Sequence, residues 1–133
     1  MAPSRRAGPS DLILFEKWLD FSKWLFERTM RWPKHLRHTL TQRIETLTLE
    51  VLEDITTAAY QQDKTRTLQT ANERPNRLRV LLRLAHEMTV LSHAHYQESA
   101  QRLSDAGRLL GAWLKQRRCR GSSGAPAMEE RPA

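Results

Sequence analysis

Leu40 to Tyr60 reads LTQRIETLTLEVLEDITTAAY, and its apolar residues Leu40, Ile44, Leu47, Val51, Ile55 and Ala58 recur at steps of three and four. That spacing lines one face of a helix, while Arg43, Glu45, Glu50 and Glu53 fall on other sides. Thr39 stands where a cap could open this helix and Tyr60 lies near its close. A surface stripe of this kind needs other helices to cover it.

The flanking segments supply them. Upstream, Ser10 as N-cap and Asp11 in the first turn open a helix through Leu14, Trp18, Phe21, Trp24, Leu25 and Phe26 to about Met30. Trp32-Pro33 ends it, because a residue before proline avoids the helical region. Downstream, a third helix begins near Asp63 and carries Leu68, Ala71, Leu78, Leu81, Leu82, Ala85, Met88 and Leu91, with a bend expected at Pro75. A last helix, about His95 to Arg117, buries Tyr96, Leu103, Leu110, Trp113 and Leu114. Its glycines, Gly107 and Gly111, lie four apart on one face and would permit close helix approach.

Between Ser10 and Arg120 the chain holds only these two glycines and the prolines Pro33 and Pro75, so strands have nowhere to turn. Four helices with short connections predict an all-α fold, an antiparallel up-down-up-down four-helix bundle over residues 11–120. Residues 1–10 are expected to form a flexible N-terminal arm and residues 121–133 a disordered tail, since both are polar and rich in Pro, Gly and Ser. A domain this small can leave wide apolar stripes for a second subunit to cover, so self-association is expected.

The 133 residues carry 22 Lys and Arg against 15 Asp and Glu, a formal charge of +7. Residues 1–62 hold 9 basic and 8 acidic groups, whereas residues 63–120 hold 12 and 5, and the tail contributes −1. A phosphate-bearing or acidic partner would find its footing on the second half; a solvated helix face explains the same surplus. Arg79 and Arg83 are four apart and project from one face, with Arg74, Arg77, Arg66 and Lys64 extending the basic surface. Lys34 and Arg37 flank the first loop. Lys115, Arg117, Arg118 and Arg120 end the last helix, where its dipole favours cations in any case. For Arg79 and Arg83 two readings stand, contact with nucleic-acid phosphates or salt bridges to a neighbouring helix.

Catalytic patterns are missing. No Ser-His-Asp order, glycine-rich phosphate loop or inward carboxylate pair stands out, so no enzyme activity is expected. His35 with His38, and His93 with His95, lack the carboxylates three or four residues away that helical metal sites use, so neither metal nor cofactor is expected. His93 and His95 would instead cap the turn into the last helix, and His35 and His38 would join the basic surface. Cys119 is the only cysteine, which excludes an internal disulfide. The early apolar run Leu12 to Phe15 is too short for a signal core and nothing approaches the roughly 20 apolar residues of a membrane span, so a soluble, cytoplasmic protein is expected. Trp18 and Trp24 fall at positions on the first helix that cannot both face one core, so something else should cover one of them. Core or subunit packing is the reading favoured over stacking on bases.

Three stretches together carry a resemblance. Trp32-Pro-Lys-His-Leu-Arg-His-Thr-Leu40 is similar to an aromatic-Pro-Lys loop entering a second helix, Leu78-Arg-Val-Leu-Leu-Arg-Leu-Ala85 to a paired-arginine helix, and Gly107-Arg-Leu-Leu-Gly-Ala-Trp-Leu-Lys115 to a Gly-x-x-x-Gly-x-Trp ending. Over about residues 12–116 the chain resembles the accessory variability determinant (Avd) group of diversity-generating retroelements. That group lies among four-helix-bundle proteins related to those encoded in ribosomal RNA intervening sequences. The resemblance implies a homopentameric barrel whose basic surface binds template RNA or cDNA and docks a reverse transcriptase during mutagenic retrohoming. Arg79 and Arg83 would make the first contacts with polymer or polymerase and Lys34 and Arg37 on the first loop would come second, with Arg77 and Arg74 as further candidates beside the arginine pair. Gly-Ala-Trp at residues 111–113 departs from the usual Gly-Gly-Trp or Gly-Ser-Trp, and Pro75 is unusual within the third helix. An intervening-sequence relative acting as a general protein or RNA interaction module is the alternative.

Overall fold

The computed structural model describes the backbone of residues 9–60 and 65–124; side chains are described for residues 12–59, 66, 72–113 and 115. Four α-helices account for most of it: α1 (Pro9–Thr29), α2 (Gln42–Tyr60), α3 (Thr65–Glu87) and α4 (His93–Gly124). No strand occurs among the described residues. α1 packs against α2 and α4, and α3 packs against the same two, so α1 and α3 occupy opposite corners of a bundle. Successive helices joined by short links run antiparallel.

The predicted stripes form the core. Leu14, Trp18, Phe21 and Leu25 from α1 meet Ile44, Leu47, Val51, Ile55 and Ala58 from α2. Leu78, Leu82 and Ala85 from α3 and Leu103, Leu110 and Trp113 from α4 complete it. Polar atoms inside the bundle are met locally: the Ser22 hydroxyl donates to the Trp18 carbonyl at 2.8 Å. The Thr29 hydroxyl reaches Glu45 on α2 at 2.6 Å.

The boundaries differ from the sequence reading in physically informative ways. α1 begins at Pro9, one residue before the expected cap, because proline's fixed φ suits a first helical position; the side chains of Ser10 and Asp11 lie outside the described residues. Thr39 does not cap α2. A 3-10 turn (Lys34–Leu36) and a π-helical turn (Arg37–Thr41) precede it, and the Thr39 hydroxyl donates back to the Leu36 carbonyl at 3.3 Å. α3 runs through Pro75 as one element, with the proline buried. α4 opens earlier than expected, at His93, and its cap is Ser92, whose hydroxyl accepts the His95 backbone N–H at 3.1 Å, in place of the histidines expected there. It extends to Gly124, beyond the expected start of the tail at residue 121, as no proline intervenes before Pro126. The arm up to residue 8, the rest of the tail, and the side chains of Lys64, Leu68, Ala71, Leu114, Arg117, Arg118, Cys119 and Arg120 lie outside the described residues.

α3 ends on a Schellman turn. The Val90 N–H reaches the Ala85 carbonyl at 2.9 Å and the Thr89 N–H reaches the His86 carbonyl at 3.0 Å. The left-handed position is taken by Thr89, at φ 61°, where glycine would be unstrained. Gly107 and Gly111 do not mediate close helix contact within the chain, since a Cβ built at either would meet nothing within 4 Å. No helix among the described residues is long and apolar enough to cross a membrane.

Candidate nucleic-acid interface

The α1–α2 linker is built to hold charge outward. Trp32 bonds back through its N–H to the Thr29 carbonyl at 3.0 Å, and Pro33, at φ −56° and ψ 140°, turns the chain out of the helix. Trp32, Leu36 and Leu40, at intervals of four, are all buried and root the segment in the core. Lys34, His35, Arg37 and His38 between them are exposed. From Arg28 to Ile44 the sequence contains five Lys and Arg and no acidic residue. Among the described residues none of the ion pairs involves Arg31, Lys34, Arg37 or Arg43.

The arginines of α3 are placed differently. Arg74 turns toward α2, where its guanidinium pairs with Asp54 and lies 3.4 Å from Glu50. With both Arg74 and Asp54 about four-fifths buried, this is an internal tie between helices, which removes Arg74 from the outward surface the sequence suggested. Arg77 lies 3.8 Å from Glu73 and Arg83 3.8 Å from Glu87, both largely exposed pairs along the same helix. Such pairs are worth less than about 1 kcal/mol and leave the cations free to exchange partners. Arg79 donates to the Asn76 side chain at 2.9 Å. Among the described residues the salt bridge to a neighbouring helix considered for Arg79 and Arg83 is therefore made by neither; it belongs to Arg74.

The structure does not gather these groups into one patch. Arg79 and Arg83 share a line on α3 with Asn76 and Glu87. Lys34 and Arg37 sit at the end of the bundle, on the linker. Arg66 and Lys115 are exposed elsewhere. The unpaired linker cations were visible in the sequence as a run without acids, but a count by halves of the chain hid them, because α2 supplies the acids that neutralise part of α3.

Trp24 resolves the question of a second aromatic on α1. Trp18 is fully buried, whereas the half-buried Trp24 ring is covered by two guanidiniums, Arg28 at 4.7 Å and Arg102 at 5.2 Å, with His95 edge-on at 5.8 Å. Arg102 is itself held by Glu98 at 2.7 Å. The cover is thus supplied within the chain, by Arg28 of α1 itself and by Arg102 and His95 of α4. Nearby, His86 and His93 approach to 3.3 Å across the α3–α4 turn. No group of three or more His, Cys, Asp or Glu among the described residues is placed to hold a metal ion. On the α1–α4 face the Asp105 carboxyl is held below its usual range, first by a hydrogen bond from Gln101 and then by Arg108.

A family model described as bAvd-like matches residues 12–117. No curated protein and no solved structure matches the chain.

Proposed function

The chain belongs to the bAvd-like family, and from that premise we propose that it is a non-catalytic accessory protein of a diversity-generating retroelement. In this reading it self-associates, as a homopentamer, and binds the element's reverse transcriptase together with template RNA or cDNA to support mutagenic retrohoming. The observation that carries the nucleic-acid part is the acid-free linker, whose Arg31, Lys34 and Arg37 enter no ion pair among the described residues. Cations without partners are the groups that release counterions on meeting a polyphosphate, because they give up no existing pair to do so. Arg77, Arg79 and Arg83 would add weaker, exchangeable contacts from α3.

The test is co-expression with the reverse transcriptase encoded nearest to this chain, followed by nuclease treatment and light scattering. A stable complex containing several copies of this chain per polymerase supports the reading. A polymerase lost even at low salt, while a parallel preparation without nuclease retains RNA, would sink the polymerase part and leave a general RNA interaction module of the intervening-sequence type, to which the same linker is suited.

A further inference from the structure

Seven large apolar side chains are exposed among the described residues, and five of them form two patches. Val80, Leu84 and Met88 follow one another every four residues on α3, at 67, 45 and 43 % exposure. They wall a groove against α2 whose floor includes Leu40, Leu47 and Leu81 and whose rim carries Arg43, Arg77 and Glu50, the last already tied to Arg74 at 3.4 Å. From residue 77 to 88 the groove follows α3 for about 16 Å, three turns of helix. The second patch is Leu12 and Ile13 at the start of α1, at 57 and 49 %. Glu16 and Asp20 continue the line of Leu12 down the same face and are paired with no described residue.

The two patches are complementary in both hydropathy and charge. Along α1 the line of Leu12 runs from apolar to acidic, with Lys17 beside it; along α3 read backwards the patch runs from apolar to Arg77, whose pair with Glu73 at 3.8 Å is exposed and free to exchange. Antiparallel apposition sets Leu12 and Ile13 among Val80 and Leu84, and Glu16 against Arg77, with Arg43 across the groove. Because α1 and α3 stand at opposite corners of the bundle, one molecule cannot satisfy itself. We propose that the α2–α3 groove of one copy receives the first three turns of α1 from a second copy, in a head-to-tail contact. Such a contact uses two different surfaces, so it repeats from copy to copy, giving a ring where the rotation between copies closes. The inference rests on the self-association in the proposed function and is independent of its nucleic-acid part.

The experiment is light scattering of the full chain with Leu84→Asp and Ile13→Asp, each checked for helicity by circular dichroism. The wild type is expected to be multimeric across a dilution series, and each variant monomeric and folded. An equimolar mixture of the two variants should give a 1:1 dimer and nothing larger, because only one intact groove and one intact α1 end remain to meet. Monomers in that mixture, or variants that stay multimeric, would overturn the placement while leaving self-association standing. A monomeric wild type would overturn both and leave the nucleic-acid reading to its own test. As a second route, Glu16→Arg and Arg77→Glu should each weaken assembly by about tenfold or more, and their combination in one chain should restore it. Failure to restore would overturn the apposition of these two helices.

Discussion

The Trp18 indole on α1 donates its Nε1–H to the main-chain carbonyl of Thr48 on α2 at 2.9 Å, across the centre of the bundle. The same Thr48 turns its hydroxyl back to the Ile44 carbonyl at 2.8 Å, so one buried threonine sits beneath the contact that sets the register of two helices. Trp18→Phe keeps an aromatic ring but removes the donor and leaves a void. The expected loss is about 2–3 kcal/mol, read as a lowered denaturant midpoint. A change within error would mean that the core closes over the gap and the indole bond contributes little.

Thr89 occupies the left-handed position of the α3–α4 turn. Replacing it with glycine relieves the steric cost of a β-branched residue there, partly offset by the freedom glycine gains in the unfolded chain. A stabilisation of about 1 kcal/mol is expected in thermal melts.

Thr41 is buried at the end of the π-helical turn, and its hydroxyl has no hydrogen-bond partner among the described residues. Thr41→Val preserves the shape and removes the unmet polar atom, so the fold should gain about 1 kcal/mol. Destabilisation by that substitution would indicate a partner for the hydroxyl in solution.

Arg74 and Arg83 test the division between internal and outward cations. Arg74→Ala strands a mostly buried Asp54 and should cost about 1–3 kcal/mol of stability. Arg83→Ala, on an exposed pair, should change stability by less than about 0.5 kcal/mol. Equal effects would contradict the arrangement described for α3.

Lys34→Ala with Arg37→Ala should leave the melting temperature unchanged and reduce the salt dependence of single-stranded RNA binding by about 1.4 in logarithmic slope, two phosphates' worth. An unaltered slope would remove the linker from the interface and return attention to Arg79 and Arg83.

Much of this fold was legible because helical periodicity is a local property. Leu14, Ile44, Leu78 and Leu103 fall inward for the same reason that their neighbours at three and four residues do. What the sequence concealed depended on distance in space. The partner of Arg74 comes from a helix twenty positions earlier, and no count along the chain reveals it. The role of Ser92 is hidden in the sequence because a cap is recognisable only once the helix boundary is known, and His93 and His95 mark the same stretch as a boundary. The open surroundings of Gly107 and Gly111 are hidden for a similar reason, since spacing identifies a smooth face without saying what stands opposite.

Trp32, Leu36 and Leu40, gripping the interior beneath the linker, have a kinetic consequence. Ordering of that segment is completed when the chain folds, so a polyanion meeting Lys34 and Arg37 encounters a surface already set in shape. Its capture would be governed by diffusion and electrostatic steering, with no slow loop rearrangement to wait for. The association rate should accordingly fall steeply with ionic strength while its dependence on temperature stays close to that of solvent viscosity.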